Sequence, residues 1–227
     1  MILQNYMWTA PNYFSAEEVA SIHRQATMIP FDSARTGGRQ PDPDAPVEET
    51  HGMRNHIRQG EVKWFTPEGG HRMSQDIVDK INLATQMAME ECGWHFKLEF
   101  SENYQYTIYN HNPDLPTGDF YTWHTDHGGE INPDGMHRKL SMTIQLADPD
   151  DYEGGHFQWL EPNKGFDKLK WGDNTLDMED SIRTLPFSAK GIGSVCVFPS
   201  FLYHQVMPIT RGTRISIVAW FNGYPWT

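Results

Sequence analysis

The sequence predicts a mainly β fold, a sandwich or jelly roll, with α-helices supporting one sheet. Three observations lead there. After Gly93 the chain becomes a series of short runs with period-two alternation, separated by turn residues. Before Gly93, two segments space their apolar residues as helices do. Aromatic residues make up 13% of the 227-residue chain, a content that suits packed, pleated surfaces.

The elements follow in order. Residues 15–28 read as a helix: Ser15 and Glu18 have capping-box spacing, and Val19 and Ile22 begin an apolar face. Residues 33–60, rich in proline, glycine and charge, read as a long irregular loop of the kind used as a lid or binding loop. Residues 74–92 read as a second helix. Ser74 is its candidate cap, Ile77, Ile81, Ala84 and Ala88 share one face, and Gly93 ends it. The expected strands are HFKLEF, with Phe96, Leu98 and Phe100 on one side, then YQYTIY, DFYTWH, KLSMTIQL, GGHFQWL, GSVCVF, YHQVMP and TRISIVAW. Within KLSMTIQL, the stripe Leu140, Met142, Ile144 and Leu146 reads as core. Gly154-Gly155 reads as a turn or bulge. Residues 161–186 interrupt the series as a polar insertion. From Asp148 to Asp180 there are ten acids against three lysines, either a solvated surface or an acidic rim. One domain over residues 1–227 is expected, with helical support over roughly 1–93 and the β core over roughly 94–227.

Composition excludes several classes. The net charge of −12 disfavours a nucleic-acid partner and favours neutral or basic ones. No apolar run is long enough for a membrane span, and the N-terminus lacks a signal-peptide pattern, so a cytoplasmic location is expected. The two cysteines, Cys92 and Cys196, make no disulfide framework.

Two stretches carry chemistry. In Trp123-His124-Thr125-Asp126, side chains two apart on a strand share a face, so His124 and Asp126 can meet one metal ion while His127 points away. In the second stretch, His204 ends one β-type run. A turn over Pro208–Gly212 follows, and the next run carries Arg214 and Ser216. If these two runs pair antiparallel, Arg214 projects roughly 10 Å from the level of His204. That span suits a short dicarboxylate, one end on the metal and the other gripped by a guanidinium. Two histidines and one carboxylate form the facial triad of non-haem Fe(II) oxygenases, which leaves positions open for a keto acid and O2.

On these motifs, the chain resembles the Fe(II)/2-oxoglutarate dioxygenases of the prolyl-4-hydroxylase-like branch. The resemblance runs from about Gly52 to Pro225. It rests on FYTWHTD, RKLSMTIQLADPDDYEGGHFQW and GSVCVFPSFLYHQVMPITRGTRISIVAW, with YQYTIY and, weakly, HGMRNHIRQGEVKWF. It implies a double-stranded β-helix core with the N-terminal helices on one sheet. His124, Asp126 and His204 would be the catalytic iron ligands. Arg214 would bind the C5 carboxylate of 2-oxoglutarate, assisted by Ser216, and Tyr109 would contact the co-substrate near the metal. Trp220 would be an aromatic on the substrate side. Gln145 stands where some members carry a second tyrosine and joins the co-substrate residues. Collagen-type members use lysine where this chain has Arg214. The gap from Asp126 to His204 is long because of residues 161–186.

The implied reaction is hydroxylation of an unactivated C–H bond using Fe(II), 2-oxoglutarate and O2, with ascorbate in support. Asp126 argues against a halogenase. The expected target is a prolyl residue in a peptide or protein. Arg35, Arg39, Arg54 and Arg58 of the 33–60 loop are placed to fold over an extended chain. The alternatives are a hydroxylase of a free amino acid or other small molecule and, in another class, a non-catalytic cupin-like metal-binding module.

Overall fold

A computed structural model describes residues 5–33, 57–66, 70–113, 117–127, 135–161 and 181–225. Among them are two α-helices, α1 (Ala16–Thr27) and α2 (Gln75–Cys92). The first strands are β1 (Trp8–Ala10), β2 (Asp32–Ser33), β3 (Arg58–Gln59), β4 (Glu61–Phe65) and β5 (Phe100–Ser101). After these come β6 (Tyr104–Asn110), β7 (Phe120–His124), β8 (His137–Gln145), β9 (Tyr152–Gly154) and β10 (Phe157–Leu160). The last are β11 (Ile182–Thr184), β12 (Val195–Pro199), β13 (His204–Val206) and β14 (Ile209–Gly223).

The strands form two antiparallel sheets. The major sheet runs β1-β12-β8-β14-β6-β4-β2, with β5 and β9 also on β14; the minor sheet runs β11-β10-β13-β7-β3. The chain passes repeatedly between the sheets, giving a mostly β jelly roll.

Both helices pack on the outer face of the major sheet. The apolar faces of α1 (Val19, Ile22, Ala26) and α2 (Ile77, Ile81, Ala84, Ala88) meet Leu140, Ile144, Ile217 and Ala219 in one buried cluster. A second cluster, including Phe157, Phe198, Leu202 and Val206, lies between the sheets. The caps differ in chemistry. Ser15 and Glu18 close a reciprocal capping box on α1. Ser74 has N-cap geometry but no capping bond, because Gln25 of α1 holds both its hydroxyl and its backbone N–H. Gly93, at φ 65°, ends α2 as expected.

Four expectations need correction. HFKLEF forms only the two-residue β5: β14 ends at Gly223, so after the Glu99 N–H bond to the Asn222 carbonyl residues 95–98 run past the last available partner, and Phe100 is exposed. The runs carrying His204 and Arg214 do not pair. Residues 209–212 are already strand against β9, and β13 and β14 lie in different sheets joined through Met207 and Pro208. The region before α2 is not only helical support, since β4 pairs with β6 and β3 with β7. The segment 161–186 holds a strand, β11, along β10. The rest of that segment, and residues 34–56 of the long loop, lie outside the described residues.

Candidate active site

Strand β7 ends at His124, and β13 begins at His204, its direct partner across the ladder. The two rings lie 4.1 Å apart between centroids. Asp126 follows β7, tied by its backbone N–H to the Ser200 carbonyl at 2.9 Å. Its oxygens stand 3.4 Å from His124 Nε2 and 3.7 Å from His204 Nε2. One ligand atom from each of the three lies within 4.8 Å of the others. His124 Nδ1 sits 2.7 Å from the Thr122 carbonyl, and His204 Nδ1 sits 2.8 Å from the Leu202 carbonyl. A carbonyl only accepts, so each Nδ1 carries the proton and each Nε2 keeps its lone pair for a cation.

Electrostatics agree with that arrangement. Burial pushes the His204 imidazole down to about 4, so it is neutral at neutral pH. Burial alone would raise the Asp126 carboxyl. His204, His124 and Arg138 outweigh it and hold the group below the usual carboxylate range. Two imidazole nitrogens and one hard anion suit Fe(II).

These side chains line a cavity between the sheets. Its other wall is the inner face of the major sheet. Along β14, Arg214, Ser216, Val218 and Trp220 face the cavity, while Ile215, Ile217, Ala219 and Phe221 face the helices. On β6, Gln105, Thr107 and Tyr109 line it, whereas Tyr104 and Tyr106 pack in the helix-side core. Tyr109 lies opposite Arg214, and Gln145 opposite Ser216. Gly60, at φ 155°, passes so close to the Tyr109 ring that a Cβ there would lie 2.5 Å from it.

Arg214 is buried, and its hydrogen-bond partners among the described residues are neutral. It donates to Gln145 Oε1 at 3.0 Å and Ser216 Oγ at 3.3 Å. Among the described residues no carboxylate is paired with it, and Gln145 Nε2 is buried without a partner. An uncompensated buried guanidinium is costly, and an incoming carboxylate relieves it. The residues therefore fit a keto diacid as well as a divalent metal.

At the opposite end, Arg138 lies 4.0 Å over the Trp220 ring and donates to Glu102 at 2.7 Å through Nε. His127 contacts His137, and His156 contacts Lys190; neither joins the triad. Sequence reasoning missed Tyr121, which stacks on His124 with centroids 3.4 Å apart. It lies three residues before His124, and a register shift between β7 and β13 brings it under the ring, which period-two parity does not reveal.

The family model of the 2OG-Fe(II) oxygenase superfamily matches residues 104–222. The chain belongs to this superfamily. That match contains all eight of the sequence-derived site residues and stops short of β3. Among superfamily relatives, a PKHD-type hydroxylase from Synechococcus sp. (strain CC9902) is 36% identical over 111 residues, 47% of this chain and 38% of that protein. The aligned part of the chain thus spans well under half of that relative. Two solved structures share the fold. A Pseudomonas putida prolyl-4-hydroxylase superposes with TM-score 0.58 at 16% identity, covering 98% of this chain and 95% of that one. A Trichoplax adhaerens prolyl hydroxylase, in complex with a peptide fragment of the hypoxia inducible factor oxygen degradation domain, gives 0.59 at 16%, covering 96% and 84%. No helix of the described residues is long and apolar enough to cross a membrane.

Proposed function

We propose that this chain is an Fe(II)- and 2-oxoglutarate-dependent dioxygenase that hydroxylates an unactivated C–H bond, most specifically in a prolyl residue of a peptide or protein. The observation that carries the reading is the His124, Asp126 and His204 cluster in one cavity with Arg214, whose hydrogen-bond partners among the described residues are neutral.

The residues have distinct tasks. His124, Asp126 and His204 hold the iron on one side, their lone pairs oriented by the Thr122 and Leu202 carbonyls. Arg214, with Gln145 and Ser216, receives the far carboxylate of 2-oxoglutarate. Tyr109 borders the co-substrate, and Trp220 borders the substrate. The buried aromatic and aliphatic lining excludes stray water. When bound, the iron and keto acid supply the oxidising power: 2-oxoglutarate and O2 give succinate and CO2, and the second oxygen atom becomes the new hydroxyl.

The prolyl target draws support from the two structural neighbours, one of which holds a peptide. We read the chain as one catalytic domain in a reducing, cytoplasmic setting, consistent with free Cys92 and Cys196. The test is mass spectrometry of proline-containing peptides incubated with protein, Fe(II), 2-oxoglutarate and ascorbate. A gain of one oxygen that depends on 2-oxoglutarate supports the reading. Peptides left unchanged while a free amino acid gains the oxygen would move the target to a small molecule.

A further inference from the structure

Three buried side-chain atoms among the described residues lack a hydrogen-bond partner, and all three are N–H donors: Gln145 Nε2, Arg58 Nε and Trp220 Nε1. Gln145 sits beside Arg214. The other two belong to the opposite end of the same cavity. Arg58 is only 7% exposed. Its guanidinium lies 4.7 Å over the Tyr121 ring and donates through Nη2 to Gln105 Oε1 at 2.7 Å. That oxygen also accepts from Thr107. Among the described residues no carboxylate is paired with Arg58.

From these donors we infer that Arg58, which lines the same cavity as the unpartnered Trp220 indole N–H, binds a carboxylate carried by the substrate to be hydroxylated. This rests on the dioxygenase reading above. Two arguments support it. The first is distance. Gln105 lies opposite Val218, four residues along β14 from Arg214, which is about 13 Å. A five-carbon diacid held by Arg214 spans roughly half of that and cannot also reach Arg58. The second is charge. Among the described residues, the formally charged side chains lining the cavity are Asp126, Arg214 and Arg58. A divalent iron and Arg214 are balanced by Asp126 and the dianionic keto acid. Arg58 is left as one buried positive charge, which a second carboxylate neutralises. The acidic surface of the chain points to neutral or basic partners; the cavity reverses that sign locally.

A carboxylate has two possible sources, a free acid or an acidic residue beside the target in a peptide. Calorimetry on protein loaded with Mn(II) and 2-oxoglutarate separates them with two matched pairs. One is N-acetyl-L-proline against its amide. The other is a blocked Asp-Pro-Gly peptide against its Asn-Pro-Gly counterpart. In at least one pair the acid should bind about 10- to 100-fold more tightly. Arg58→Gln should reduce that ratio to near one, with 2-oxoglutarate affinity unchanged. A preference in the first pair identifies a free acid; in the second, an acidic peptide. Equal binding within both pairs overturns the inference, as does a preference that survives Arg58→Gln. Equal binding in the wild type overturns the inference whether or not the variant folds. Failure of 2-oxoglutarate itself to bind would instead overturn the dioxygenase reading.

Discussion

His124 and His204 are direct partners across the β7–β13 ladder, and their Nδ1 atoms both point back to carbonyls two residues earlier, those of Thr122 and Leu202. One local geometry is thus used twice. Each strand end turns its own backbone oxygen onto its own imidazole, and both Nε2 atoms are left facing Asp126. The tautomers are set before any metal arrives, which lowers the cost of assembling the ligand set.

Asp126 supplies the only anionic group of that set. Asp126→Ala should weaken Mn(II) or Fe(II) affinity by more than about tenfold, because losing even an outer-shell partner costs 10- to 100-fold. Equilibrium dialysis reads this directly. Wild-type metal occupancy in the variant would sink the ligand assignment.

Arg214 and Arg211 are close in sequence and opposite in environment. Arg214 is buried against Gln145 and Ser216, whereas Arg211 is exposed and paired with Glu153 at 2.9 Å. Arg214→Ala should raise the Kd for 2-oxoglutarate roughly 10- to 100-fold on Mn(II)-loaded protein. Arg211→Ala should leave it within about twofold, since exposed pairs contribute little. The reverse order would mean that the co-substrate lies elsewhere.

Gly155 holds Arg214 in place by being small. At φ 56° it adopts a left-handed conformation, and a Cβ there would lie 2.5 Å from Ile209 Cδ1 and 3.0 Å from Arg214 Cδ. Gly155→Ala should weaken 2-oxoglutarate binding several-fold while sparing metal affinity. Gly135→Ala controls for strain, because Gly135 is also left-handed, at φ 76°, with nothing within 4 Å of its Cβ. Both carry a backbone cost of about 1–2 kcal/mol. If the two variants bind 2-oxoglutarate alike, the packing argument fails.

Alkaline pH should destabilise the fold. Burial pushes the Cys196 thiol up to about 12 and the Tyr106 phenol up to about 12. In the unfolded chain these groups titrate near 8.5 and about 10. Between those values and about 12 the unfolded state releases protons that the folded state keeps. The associated stability is therefore intact below about pH 8.5 and is lost as pH rises toward 12. Melting temperatures should fall steadily from pH 8 to pH 11, and Cys196→Ala should flatten part of that slope. A flat profile over this range would show that the thiol and phenol are not held as described.

The sequence by itself determined the periods. Ser15 with Glu18 marked the start of α1, the stripe from Ile77 to Ala88 marked the buried face of α2, and the alternation in KLSMTIQL and TRISIVAW marked two central strands. It also placed His124 and Asp126 two residues apart, a spacing that a strand end turns into a shared site. These features are local: a cap, a helical repeat and a pleat depend on residues within a few positions of each other. Only the tertiary structure decided what the second face of each strand meets. Gln105, Thr107, Gln145, Arg214 and Ser216 have the parity of solvent-facing residues, yet all are buried, because helices cover one side of the major sheet and the cavity occupies the other. Tertiary structure likewise set β13 and β14 in opposite sheets, so that Arg214 faces the His124, Asp126 and His204 cluster across the sandwich instead of along a hairpin. It also brought Arg58, from beyond the matched region, to the same cavity through a two-residue strand on β7. Such placements depend on pairing between segments far apart in the chain, and no local pattern encodes which edge a short strand will choose.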